Sequence, residues 1–365
     1  MSSSDGPMGD SGSGEYRITK IYLQSKAGDS PYAERLLAAF PNAAVVHIED
    51  KRDIPPEDLT MRTLYLHKAP GPTFGPCPGT KGHLCCNYQT VDIYEGCPIG
   101  CSYCIMRSYL NFAPISINLA VEQEIAAIRR EAARHSERQI RVGTGEVGDS
   151  LLYDALTGIS GDLVQGLADL ENVHLELKTK TAGVDHLLEI RDKGNAVLGF
   201  SVNPQVLAPE QGWAAPINDR IAAAHRAIEA GYRIALHFDP IIAVEEWEAA
   251  YGALIDALAP LGSRRGRVAW ISLGTIRFTP KLRERMPDRP YLFDEFVPGA
   301  DGKYRYLQRR RRRVYRTLFE ELAPRFDAPI YLCMESEAVW ELVYGQKPER
   351  ISRLRDIFDA VEEES

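Results

Sequence analysis

Six short β-type runs alternate with helix-period runs through the middle of this chain of 365 residues, and that alternation limits the folds open to it. The strand candidates are Thr90 to Tyr94, Gln139 to Thr144, Val173 to Thr179, Ala196 to Val202, Arg233 to Phe238 and Val268 to Leu273. Between them, Ala120 to His135, Gly161 to Leu170, Val184 to Lys193, Ile217 to Ala230 and Glu245 to Leu258 carry apolar residues at helical spacing. Strand-then-helix units in series cross over right-handedly and build a parallel sheet with helices on its outside. The expected fold is therefore α/β, a partial (β/α)6 TIM-type barrel over residues 90–300. In such a barrel the functional residues collect just after the strand ends.

The flanks divide in the same manner. Residues 1–15 are rich in Ser, Gly and Asp and are expected to form a disordered tail, whereas residues 16–68 read as a small N-terminal β-α-β unit. Its parts are Tyr16 to Leu23, Pro31 to Phe40 and Ala43 to Ile48. Residues 69–89 form a Cys/Gly/Pro-rich linker in which Ala69 to Gly82 is too broken for regular structure, either a boundary or a cofactor-facing loop. Residues 301–365 are an Arg-rich and helical C-terminal extension that includes the apolar run Ile330 to Met334. No apolar run approaches the ~20 residues that cross a bilayer, and the first residues lack a hydrophobic signal core, so a cytoplasmic protein with no membrane partner is expected. With 43 Lys and Arg against 51 Asp and Glu, no overall field attracts polyanions, and any nucleic-acid contact must be local.

Cysteine placement narrows the chemistry. Six of the seven cysteines, Cys77, Cys85, Cys86, Cys97, Cys101 and Cys104, fall within 28 residues, with Cys333 apart. In a reducing compartment such a cluster points to metal or cofactor ligation rather than disulfides. Cys97, Cys101 and Cys104 sit at offsets of zero, four and seven in a Gly/Pro-containing loop directly after a strand. Three thiolates on that turn can hold three irons of a [4Fe–4S] cluster and leave the fourth open. The competing readings are a zinc knuckle, which favours paired ligands and a fourth donor, and three buried cysteines.

The spacing Cys-x3-Cys-x2-Cys with Tyr103 before the last cysteine resembles the radical S-adenosylmethionine (AdoMet) superfamily. There the open iron chelates AdoMet, and reductive cleavage yields a 5′-deoxyadenosyl radical. Thr179-Lys180, Val184-Asp185-His186-Leu187-Leu188, Phe200-Ser201-Val202-Asn203, Arg220-Ile221 and Ala230-Gly231-Tyr232 resemble, in this order, the spore photoproduct lyase family. Pro76 to Gly82, Cys85-Cys86 and Tyr331 to Ser336 look like its wider lyase-like relatives, and the resemblance runs from residue 70 to residue 345. It implies a lyase-like radical AdoMet enzyme whose cofactors are a [4Fe–4S] cluster on Cys97, Cys101 and Cys104 and AdoMet. Lys180, Ser201, Asn203 and Tyr103 become the cofactor-binding residues. A reducing partner of the flavodoxin or ferredoxin type and a DNA or nucleotide lesion as substrate follow.

One departure stands out. The family's hydrogen-donating cysteine follows the second barrel strand, and here that stretch reads Gly143-Thr144-Gly145-Glu146-Val147-Gly148-Asp149-Ser150. A carboxylate cannot deliver a hydrogen atom as a thiol can, so the quenching step differs or the substrate does. The family's second tyrosine is Ile105 here, with Tyr109 nearby. Glu146, Asp149 and Tyr103 are the catalytic candidates; Asp149 reads equally as a helix N-terminal cap. Cys77, Cys85 and Cys86 read as a redox pair, a replacement hydrogen donor, ligands of a second metal site or simple packing. His237 and Asp239 project to one side of their strand, into the barrel mouth or into a satisfied core, and Glu335, Ser336 and Glu337 are further polar groups near a strand end. Seven arginines from Arg305 to Arg316, centred on Arg309 to Arg313, suit phosphates of DNA or a nucleotide. The plain alternative is a solvated helix paired with acids such as Glu320-Glu321 or Glu362 to Glu364. A radical AdoMet enzyme acting on a small molecule or nucleoside, as an epimerase, dehydrogenase or lyase, is the second functional reading. A non-catalytic iron-sulfur or zinc protein is the third.

Overall fold

The computed structural model describes residues 18–80 and 82–358; the tail expected over residues 1–15 and the acidic stretch Glu362 to Glu364 lie outside them. Seven parallel strands form a curled, open sheet: β1 (Gln89–Thr90), β2 (Ile140–Gly143), β3 (Val173–Thr179), β4 (Val197–Ser201), β5 (Arg233–Ile241), β6 (Val268–Thr275) and β7 (Ile330–Leu332). They are hydrogen-bonded in the order β7-β6-β5-β4-β3-β2-β1, and Gly75–Pro76 adds an antiparallel edge beside β1. This is the partial barrel that the alternation implied, with one strand more than expected because the C-terminal extension contributes β7 to the edge at β6. Every residue of β6 is buried, as strands covered on both faces must be.

The intervening helices are α1 (Val121–Arg134), α2 (Ile159–Leu167), α3 (Ile217–Glu229), α4 (Trp247–Gly262) and α5 (Gln308–Leu322). In α1 the buried residues Val121, Glu124, Ala127, Ile128 and Ala132 form one stripe, the helical period seen in the sequence. Each fully buried aliphatic side chain of this kind contributes roughly 1.5–3 kcal/mol. The helix expected over Val184 to Lys193 is a single turn, Asp185–Leu188. The Tyr232 hydroxyl donates to the Leu187 carbonyl at 2.9 Å, and the chain turns at Gly194 before β4.

The N-terminal unit is larger than its sequence suggested. Lys20–Gln24, Pro31–Ala39 and Ala44–Ile48 form the expected β-α-β, but the sheet continues through Thr63–His67 and Ile115–Asn118 to Tyr94–Glu95. The run Thr90 to Tyr94 is therefore not one barrel strand. Val91 N–H donates to the Gly143 carbonyl and Asp92 N–H to the Thr73 hydroxyl, which bends the chain at Asp92. Residues 89–90 stay in the barrel, and residues 94–95 cross to the other sheet. The cysteine loop thus starts from the seam between two sheets that share one hydrophobic core.

Candidate active site

The strands deliver their polar ends to one cavity of about 480 Å³ at the C-terminal face of the barrel. Cys97, Cys101, Cys104, Tyr103, Glu146, Asp149, Lys180 and Ser201 all line it, so the structure brings together eight of the nine residues singled out for the site. Asn203, fully buried, stands directly behind them.

The cysteine loop is held from two directions. Gly96 N–H donates to the Val147 carbonyl at 3.0 Å, which ties it to the turn after β2. Ser102 N–H donates to the Glu210 carbonyl at 2.9 Å, Trp213 N–H donates to the Ile99 carbonyl at 2.8 Å, and the Cys101 thiol donates to the Gln211 carbonyl at 3.6 Å. Gly212 makes this approach possible: its φ is +53°, and a Cβ there would lie 2.0 Å from the Ile99 oxygen. The Glu210 carboxylate accepts from the Ser102 hydroxyl, from Arg289 Nε at 2.5 Å and from the Tyr291 hydroxyl at 3.2 Å. Buried Arg220 donates to the Ser201 carbonyl at 2.6 Å and to Gln211 Oε1 at 2.8 Å, locking the same segment to β4. Sequence reasoning missed Glu210, Gln211 and Gly212 altogether, because they follow β4 in an irregular 3₁₀ segment with no motif.

Lys180 and its neighbours are equally fixed. Its backbone N–H donates to Asp149 Oδ2 at 2.7 Å, its ammonium donates to Asn203 Oδ1 at 3.3 Å, and it lies 5.8 Å from the Tyr103 ring centre. Asn203 also takes the Tyr103 hydroxyl at 3.5 Å and donates to the Pro240 carbonyl at 2.9 Å. Burial lowers the Lys180 pKa to about 8, with the Cys101 thiol working in the other direction. Asp149 accepts from Leu151 N–H, the Thr179 hydroxyl and Lys180 N–H, so it fastens the turn after β2 to the end of β3 rather than capping a helix. Burial raises its pKa against those bonds.

A second group comes from the linker and the later strands. Cys77, Cys85, Cys86 and Cys333 also line the cavity, so every cysteine of the chain opens onto it. The linker is anchored by the buried Glu124 carboxylate, which accepts from Thr73 N–H at 2.9 Å, the Thr73 hydroxyl at 3.0 Å and Phe74 N–H at 3.1 Å. Leu84 N–H donates to the Glu335 carbonyl at 2.9 Å and pins the Cys85–Cys86 segment beside the end of β7. Burial pushes the Cys77 thiol up, and the Glu146 carboxylate adds to it. Lys178, Asp239 and Arg277 line the cavity as well. Cys333 was set apart in the sequence, although its place after an apolar run was the same strand-end signal that marked the others.

Several candidates lie elsewhere. His237 points into the barrel interior, where its Nε2 is hydrogen-bonded to Glu176 Oε1 at 2.5 Å; Glu176 also accepts from the Tyr88 hydroxyl at 2.6 Å and Trp270 Nε1 at 3.2 Å. Glu335 accepts from Arg311 and from the Tyr315 hydroxyl, Ser336 precedes a helix, and Glu337 pairs with Lys347. Tyr109 is 46% exposed and away from the cavity lining. The arginine run on α5 does not reach the cavity: Arg309 pairs with Glu295, Arg310 with Asp294, Arg311 with Glu335, Arg313 with Glu248 and Arg316 with Glu320.

Three soft sulfur donors on one half-buried loop suit an iron-sulfur cluster. Among the described residues no three His, Cys, Asp or Glu side chains close on a single-ion point. A four-iron cluster takes its cysteines one per iron, at separate corners, and does not require such convergence.

A partial barrel whose first loop carries Cys-x3-Cys-x2-Cys, with a half-buried lysine and a buried serine at neighbouring strand ends, defines a radical AdoMet enzyme of the lyase type. The family model described as spore photoproduct lyase matches residues 85–284, and the chain belongs to that family. Spore photoproduct lyase of Clostridium acetobutylicum is 24% identical over 254 residues, 66% of this chain and 74% of that enzyme. The Bacillus subtilis enzyme is 26% identical over 165 residues, 45% of this chain and 48% of its own length. A double variant of spore photoproduct lyase with bound AdoMet and dinucleoside spore photoproduct superposes with a TM-score of 0.75 at 19% identity, covering 87% of this chain and all of that one. Spore photoproduct lyase complexed with the dinucleoside gives 0.74 at 20% identity, with the same coverage. The solved structures share the fold. Among the described residues no helix is long and apolar enough to cross a membrane.

Proposed function

We propose that the chain binds a [4Fe–4S] cluster through Cys97, Cys101 and Cys104, holds AdoMet beside it, and acts on a DNA or nucleotide lesion. The observation that carries this is the convergence of the three thiols, Tyr103, Lys180 and Ser201 on one cavity. When bound, cluster and AdoMet together supply a 5′-deoxyadenosyl radical able to abstract hydrogen from carbon, given an electron from a reductant of the flavodoxin or ferredoxin type. The residues of the chain position and protect. The Lys180 ammonium, oriented by Asn203, meets the methionyl carboxylate, and the Ser201 hydroxyl reaches polar groups of the cofactor. Tyr103 covers the cofactor, and Asp149 keeps Lys180 in register.

Cys77 takes the part of the hydrogen donor absent after β2. It lines the cavity beside Glu146, the residue of that turn, and is brought there by the linker. A thiol held protonated by burial carries the S–H hydrogen that a product carbon radical needs, whereas a thiolate does not; the transfer leaves a thiyl radical at Cys77, which one electron from the same reductant and a proton return to the thiol. The paired state of the α5 arginines favours a nucleoside-sized substrate in the cavity over a duplex gripped by Arg309 to Arg313.

The test is anaerobic reconstitution followed by assay of 5′-deoxyadenosine from AdoMet and dithionite, with and without the dinucleoside spore photoproduct. Substrate-dependent conversion supports the lesion enzyme. AdoMet cleavage that the dinucleoside leaves unaltered and unconsumed points to another small molecule.

A further inference from the structure

Three charged groups of the cavity are left with spare hydrogen-bonding capacity, unlike those around the cysteine loop. Lys178, on β3, and Asp239, on β5, line the cavity together with Arg277, just past the end of β6. Arg277 meets Asp239 with two parallel contacts of 3.4 and 3.3 Å, long beside the 2.7–2.9 Å or so usual for such a pair. The Lys178 ammonium has no hydrogen bond or ion pair to any described residue. Burial opposes its charge, but Asp239 and Glu146 outweigh burial and keep it protonated. Room for the Asp239 carboxylate is built into β6, because a Cβ on Gly274 would stand 2.8 Å from its Cγ.

With Glu146 the set is electrically neutral, which suits a neutral polar ligand better than a phosphate. Along the sheet the strands that deliver them run β3, β5, β6, so the order is cation, carboxylate, cation: donor, acceptor, donor. The imide edge of a pyrimidine-2,4-dione presents the complement, a carbonyl, an N–H and a second carbonyl. We propose that Lys178, Asp239 and Arg277 form a base-reading subsite for the imide edge of a thymine-type lesion base, with Asp239 accepting from N3–H and the two cations donating to the carbonyl oxygens. This rests on the lesion substrate proposed above. A cytosine-type base would set its amino group against a cation and an unprotonated ring nitrogen against the carboxylate, so the subsite selects thymine-type bases.

Anaerobic calorimetric titration of the reconstituted holoenzyme with AdoMet bound tests this, using the dinucleoside spore photoproduct and its N3-methylated analogue as probes. Methylation removes the N–H and should weaken binding by roughly tenfold or more. In Asp239→Ala the two probes should bind alike. Lys178→Met should weaken both, and unchanged AdoMet affinity in each variant reports an intact fold. Equal binding of the two probes by the parent protein, or discrimination that survives Asp239→Ala, overturns the subsite while the lesion substrate stands. Binding of AdoMet with no binding of either dinucleoside overturns the lesion substrate, and the subsite with it.

Discussion

Two groups of residues share the cavity and differ in how they are held. Around the cysteine loop nearly every polar atom has a fixed partner: Glu210 takes three donors, Asp149 takes three, and Asn203 holds both Lys180 and Tyr103. Around the linker and the late strands, the Lys178 ammonium has no hydrogen-bonded partner among the described residues, and Arg277 and Asp239 touch loosely. A cofactor that is always the same rewards a rigid cradle, since preorganised groups need no rearrangement as charge develops. A substrate that enters and leaves needs groups whose bonds are completed only when it is present, because a buried polar group already satisfied gains nothing from a ligand. The function proposed above places AdoMet with the first group and the substrate with the second, in keeping with this contrast.

The sharpest way to break that division is to remove the cradle. Replacing Cys97, Cys101 or Cys104 with Ala should abolish AdoMet cleavage and most iron loading, read by iron content and 5′-deoxyadenosine release. A triple variant that kept its iron would move the cluster to Cys77, Cys85 and Cys86. On the other side, Cys77→Ser should leave iron content and 5′-deoxyadenosine release in place and remove repaired product, measured by chromatography of the dinucleoside. Full product yield from this variant would remove Cys77 as the hydrogen donor.

A third prediction concerns the barrel floor beneath both groups. His237, Arg141 and the Tyr88 hydroxyl outweigh the burial of Glu176 and hold its pKa at about 2. The folded state therefore binds this proton less readily than the unfolded chain, where a glutamate titrates near its usual 4.5. Its contribution is present above pH 4.5 and is lost as pH falls towards about 2. Glu176→Gln should lower stability at neutral pH by about 3 kcal/mol, as removal of one partner from a buried ionic cluster does, and should flatten the acid limb of stability against pH in urea unfolding. The smallest effect is expected on α5. Arg309 and Arg313 make exposed pairs of the kind that solvent screens, so changing both to Gln should leave the melting temperature and dinucleoside affinity unaltered. Steep salt dependence of DNA binding that these changes reduce would restore the arginine run as a nucleic-acid contact.

Local sequence determined what local rules govern. The periodicity of residues 139–275 set strands β2 to β6 and placed Lys180, Ser201, Asn203 and Asp239 at their ends, since strand and helix periods are written in neighbouring residues. The spacing of Cys97, Cys101 and Cys104 was likewise a property of one turn. Tertiary structure alone decided matters that depend on residues distant in the chain. It split Thr90 to Tyr94 between two sheets, because the partners that bend it, Thr73 and Gly143, lie on either side in sequence. It added Ile330–Leu332 to the barrel and so carried Cys333 to the cavity. It turned His237 inward onto Glu176 and compensated the α5 arginines with acids as far away as Glu248. Whether a charge is spent inside the protein or kept for a ligand is set by which groups packing brings within about 4 Å, where Coulomb attraction is strong and water is displaced, and no window of sequence contains that distance.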